Sequence, residues 1–182
     1  MPFRFKQTKT VQAIAQLLQH AGGSDDYLRI VKPPYIANRK GIKDAAWPFV
    51  GGPVVAMRHG PVLSDMLDMV KNATEPDFLE IRGHRLHLVA DPGDGELCEL
   101  IIRILQDTWT EYSDKGCWQV AEETRTFDEW KRNWQDGMIP PSVIPYKDIF
   151  EAVGMSDAYE HTVDEEKYHN AVDAFFAKHR SD

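Results

Sequence analysis

The chain has 182 residues, 42% of them hydrophobic, and a formal net charge of −8. That length supports one domain with a sizeable core, and the acidity argues against a broad nucleic-acid surface, so nucleic acid is not an expected partner. No apolar run approaches the roughly 20 residues of a membrane span, two cysteines are too few for a disulfide scaffold, and the opening Met1-Pro2-Phe3-Arg4-Phe5 lacks the apolar core of a signal peptide. A cytoplasmic location without a membrane partner is the resulting expectation.

Taken along the chain, Val11, Ile14, Leu17, Leu18 and Ala21 share one face of a helix predicted over Thr8 to His20, stopped by Gly22-Gly23. Ser24 or Asp25 then stands where a cap belongs, ahead of a second helix carrying Leu28, Ile30 and Val31. Pro33-Pro34 interrupts that helix, because proline clashes with the preceding turn, and a short helix restarts at Pro34 and reaches Arg39 or Lys40. Positions 43–52 read as a loop and 53–57 as buried extended chain. Gly60-Pro61 reads as a turn into a helix ending near Asn72. Pro61 suits its first position, and Leu63, Met66, Leu67 and Val70 follow at helical spacing.

Farther on, Phe78 to Ile81 and Arg85 to Leu88 alternate apolar and polar residues around Gly83-His84, as a hairpin does. The turn cluster 91–95 precedes the longest predicted helix, Glu96 to Ser113, striped by Leu97, Leu100, Ile101, Ile104, Leu105 and Tyr112. Cys98 within it reads as a buried free thiol. A shorter helix from Asp114 to Glu123 places Trp118 and Val120 in the core. An irregular stretch holds Trp130, Trp134 and three prolines. Tyr146 to Val153 forms a helix ending at Gly154, and the last helix, Asp164 to His179, puts Tyr168, Ala171, Val172 and Phe175 on one face. The expected fold is mainly α (α+β): a single compact helical domain, 1–155, with one small β-hairpin or short sheet, and a C-terminal helical extension, 156–182, packed on it.

Several chemistries fail at the level of spacing. Gly51-Gly52-Pro53 is followed by no Lys-Ser or Lys-Thr, so it is no phosphate loop, and no cysteine pair has zinc spacing. His84 and His87 would point to opposite faces of a strand. Glu166 and His169 share a helix face as a solvated pair, and Ser64 reads as a capping or solvent-contacting residue. No catalytic residue, metal or cofactor is expected. Trp130, Trp134 and Tyr35 stay open between core and interface. Arg58 and His59, beside the Gly60-Pro61 turn, stay open between a structural role, bonding nearby backbone, and a basic shoulder for a partner. A lesser alternative is an enzyme using His59, Arg58 and an acidic residue.

Three segments in order resemble the Panacea domain, the SocA-like antitoxin family. The first is Ile30-Val31-Lys32-Pro33-Pro34-Tyr35-Ile36-Ala37-Asn38-Arg39. The second, and most specific, is Pro53-Val54-Val55-Ala56-Met57-Arg58-His59-Gly60-Pro61-Val62. The third runs from Glu123-Thr124-Arg125 through Trp130-Lys131 to 144–154. Pro33-Pro34, Asn38 and Arg125 depart from the family pattern. The resemblance implies a non-catalytic antitoxin that neutralises a cognate protein toxin by direct binding, with a protease or chaperone as a further partner. Lys32, Tyr35, Arg39, Arg58, His59 and Trp130 are the candidate contact residues, and Gly60, Pro61 and Val62 the motif that shapes them. The alternative within the same family is a phage or mobile-element protein that binds a host factor.

Overall fold

A computed structural model describes residues 2–137 and 140–179. Helix α1 (Gln7–His20) is enclosed on most sides, with Thr10 to Ala15, Leu17 and Leu18 all buried. The next segment departs from expectation. Ser24–Asp26 is a strand, β1, and Asp26 rather than Ser24 or Asp25 caps the short α2 (Tyr27–Ile30), its Oδ1 accepting the Leu28 N–H at 2.8 Å. Pro33-Pro34 does not break a helix but begins one. The two prolines occupy the first positions of α3 (Pro33–Ala45), where amides lack intrahelical partners in any case. The helix therefore continues well past Lys40, into the segment expected as loop.

The Gly60-Pro61 segment is the main correction. Val54–Met57 (β2) and Gly60–Leu63 (β3) form an antiparallel hairpin with Arg58-His59 at its tip, and α4 (Ser64–Lys71) starts only afterwards. A proline φ near −65° fits extended chain as well as a helix. All four residues of β3 are buried, so the segment is drawn into the sheet. The hairpin β4 (Leu79–Arg82) and β5 (Arg85–Leu88) forms around Gly83-His84 as predicted. Then follow α5 (Glu99–Tyr112), α6 (Cys117–Thr124), α7 (Asp128–Asn133), β6 (Ser142–Ile144), α8 (Tyr146–Ala152) and, after one 3-10 turn, α9 (Tyr159–His179).

Helices predominate, but two three-stranded antiparallel sheets replace the single β element expected, in the orders β1-β5-β4 and β3-β2-β6. Each gains its third strand from a distant segment: Ser24 pairs with His87, and Val54 with Ile144. Helix α5 packs across α1 and α3. Ile104 and Leu105 are its deep positions, while Leu100 and Ile101 are half-buried. Phe3 is buried, edge-on to Tyr146 at 4.7 Å and stacked with Phe150 at 6.2 Å.

Four further expectations change. Cys98 precedes α5 and is exposed, and Trp118 is 61% exposed on α6 rather than core. Glu166 is buried, not solvated: it accepts the Arg4 backbone N–H at 3.2 Å and lies 3.7 Å from Lys6 Nζ. On α9 the face that meets the domain is Thr162, Val163 and Glu166, with the Thr162 hydroxyl donating to the Ala46 carbonyl at 3.0 Å. This face is offset around the helix from Tyr168 and Phe175, which are exposed. Residues 180–182 of the expected extension lie outside the described residues.

Candidate functional site

The tip of the β2–β3 hairpin is held by two side chains, one from the start of α3 and one from α7, and is packed against α6. Lys32, the residue before α3, donates from Nζ to the Pro61 carbonyl at 2.9 Å. Pro61 lies on an edge strand, where a residue without an N–H does not interrupt a ladder and its carbonyl can be met from outside the sheet. Trp130 of α7 donates from Nε1 to the Met57 carbonyl at 2.9 Å. Gly60 takes φ +91° and lies against α6, so closely that a Cβ there would run into the Thr124 hydroxyl and stand 3.3 Å from Lys32 Nζ. Gly60 thus permits the approach that joins hairpin and helix.

A second polar cluster lies behind the first. Glu129 of α7 is fully buried, and its Oε1 accepts from the Tyr35 hydroxyl at 2.6 Å and from Arg39 Nε at 2.8 Å. The Arg39 guanidinium also covers the Phe127 ring at 4.4 Å. Burial first, and then the neighbouring Glu129 charge, push the Tyr35 hydroxyl well above its ordinary pKa. Asn133 ties the Glu129 backbone carbonyl to Asp148 through bonds of 2.9 and 2.7 Å. Tyr35 and Glu129 therefore serve as an interior strut between α3 and α7.

Of the six candidate contact residues, the structure brings Lys32, Arg58, His59 and Trp130 to the hairpin, and Tyr35 and Arg39 to the strut. Lys32, Tyr35 and Trp130 are buried, Arg39 is half-buried, and Arg58 and His59 are exposed. The tryptophan at the surface is Trp118, whose ring meets His59 edge-on at 5.0 Å. Glu129 carried no sequence signal, since an acid beside Asp128 reads as solvated. Trp118 was masked by a helical pattern that suggested core.

Beside the hairpin tip lie two adjoining lobes of a cleft, of about 160 and 50 Å³. Leu28, Lys32 and His59 border both. Among the described residues no carboxylate stands at ion-pair distance from Lys32, and burial pulls its pKa from the ordinary 10.5 to about 7. His59 is exposed and borders both lobes, within reach of a ligand in the cleft. Among the described residues no three His, Cys, Asp or Glu side chains converge as a metal site, and no described helix is long and apolar enough to cross a membrane. Comparison of the chain with protein-family models, with curated proteins and with solved structures finds no match.

Proposed function

We propose that the protein is an antitoxin of the Panacea type, which neutralises a cognate protein toxin by direct binding in the cytoplasm. The observation that carries this reading is convergence. The three segments on which the resemblance rests, spread from Ile30 to Gly154, meet around one hairpin. Lys32 and Trp130 fasten its two carbonyls, and Thr124 closes on Gly60. A motif set that builds a single exposed tip suits a binding role, with Arg58, His59 and Trp118 as its outward residues. Of the buried candidates, Lys32 and Trp130 then act by holding that tip, and Tyr35, with the half-buried Arg39, by anchoring the strut.

Co-expression with the product of the adjacent gene in a bacterial host tests the reading. The neighbour should arrest growth alone and be harmless beside this protein; a harmless neighbour, or one that stays fully toxic, refutes it. Arg58→Glu, at an exposed turn, should weaken partner binding at least tenfold while leaving the melting curve unchanged, because reversing a contact charge replaces attraction by repulsion. Undiminished affinity removes the hairpin tip from the interface.

A further inference from the structure

The cleft beside the hairpin has a composition unlike the rest of the molecule. The chain carries 29 acidic and 21 basic residues, yet no acidic side chain lines either lobe, whereas Lys32, Arg58, His59 and Lys71 do. Among the described residues, none of Lys32, Arg58 and Lys71 forms an ion pair. Between these cations the walls are apolar, formed by Leu28, Val31, Val62 and Leu67.

We propose that this cleft is an anchor site for a polypeptide segment in which a carboxylate adjoins one bulky apolar side chain. The proposal takes from the preceding reading only that the ligand is a protein. The larger lobe, at about 160 Å³, matches one aromatic ring, since apolar cavities of about 150 Å³ accommodate benzene. The carboxylate belongs at the wall shared by both lobes. There Lys32 uses one of its three N–H donors on Pro61, keeping two for an anion. A buried ammonium without a counter-charge is costly, and an arriving carboxylate supplies that charge; burial already draws the Lys32 pKa down to about 7. Arg58 at the exposed rim adds a second cation and attracts acidic segments from solution. A nucleic-acid strand fits less well. It would bring many phosphates to a molecule of net charge −8 and leave the apolar lobe unfilled.

Calorimetric titration of the full chain with four probes tests this: the peptides acetyl-Gly-Phe-Asp-Gly-amide, its Phe-Asn and Ala-Asp counterparts, and a 12-nucleotide single strand. The Phe-Asp peptide should bind about tenfold or more tightly than the Phe-Asn peptide, the value of one charge-assisted contact, and also more tightly than the Ala-Asp peptide. Lys32→Met should erase the preference for Asp over Asn. Leu28→Glu, at a position already 40% exposed and bordering both lobes, should do the same through repulsion while leaving the Lys32–Pro61 hydrogen bond in place. Equal binding of the Asp and Asn peptides, no binding at millimolar concentration, a preference that survives in a folded variant, or tighter binding of the oligonucleotide each overturns the proposal. Toxin rescue alongside any of these results overturns the cleft alone, whereas peptide binding with an unrescued toxin overturns the antitoxin reading alone.

Discussion

Gly60 and Gly83 both hold positive φ, at +91° and +64°, but only Gly60 is pressed against another element. A Cβ on Gly83 meets nothing within 4 Å, while one on Gly60 meets Thr124, Ala121 and Lys32. Gly83→Ala therefore incurs backbone strain alone, about 1 kcal/mol. Gly60→Ala adds a steric clash between hairpin and α6 and should lose about 3 kcal/mol or more. Urea unfolding of the two variants measures the difference; equal losses would mean that α6 yields freely. Such close approaches leave little trace in a sequence. Gly60 reads as a turn glycine, and its positive φ agrees with that, but it opens strand β3 just after the Arg58-His59 turn. That Thr124, 64 positions later, closes on it was not legible.

Helix α5 illustrates how far periodicity reaches. The spacing of Leu97, Leu100, Ile101, Ile104, Leu105 and Tyr112 located the helix and its inner side, yet it ranked Leu100 with Leu105. In the structure Leu105 is fully enclosed and Leu100 is half-buried at the rim. Leu105→Ala should cost about 2–5 kcal/mol and Leu100→Ala clearly less; thermal melts showing the reverse order would invert the assigned face. Strands fared worse than helices for a physical reason. A three-residue strand such as β1 or β6 has no period to read, and its identity comes from hydrogen bonds to a distant partner, such as His87 for Ser24 and Ile144 for Val54. Local rules also gave opposite answers for proline. Pro33-Pro34 is a helix breaker or a helix start depending on where the preceding chain turns, and Pro61 suits helix or strand equally until burial selects the strand.

Lys32 ties the local pattern to the stability of the molecule as a whole. Its pKa falls from 10.5 to about 7 because it is buried without an opposing charge. Between those pH values the unfolded chain holds a proton at Lys32 that the folded chain has lost, so stability rises with pH across that window. Below pH 7 the penalty is present in full. Lys32→Met removes it and forfeits one hydrogen bond to Pro61, and at pH 6 should be more stable than the wild type by about 2–4 kcal/mol. The gap should close as pH approaches 10.5. Urea melts at pH 6 and pH 10 check this, and a gap independent of pH would show that Lys32 is not the buried cation described.

Much of the design follows from local chemistry. The helical faces of α1 and α5, the extent of α8, the Met66, Leu67 and Val70 positions of α4, the β4–β5 hairpin and the acidic, helix-rich character all arise from residue types and spacing within a few turns, where neighbours along the chain are neighbours in space. The basic shoulder at Arg58-His59 was legible on the same grounds. The third strand of each sheet, the Tyr35–Glu129–Arg39 strut, the burial of Lys32 and the cleft beside His59 depend on contacts between residues far apart in the chain. Their free energy comes from burial and pairing that exist only once the helices and sheets have packed, so no stretch of sequence shorter than the domain encodes them.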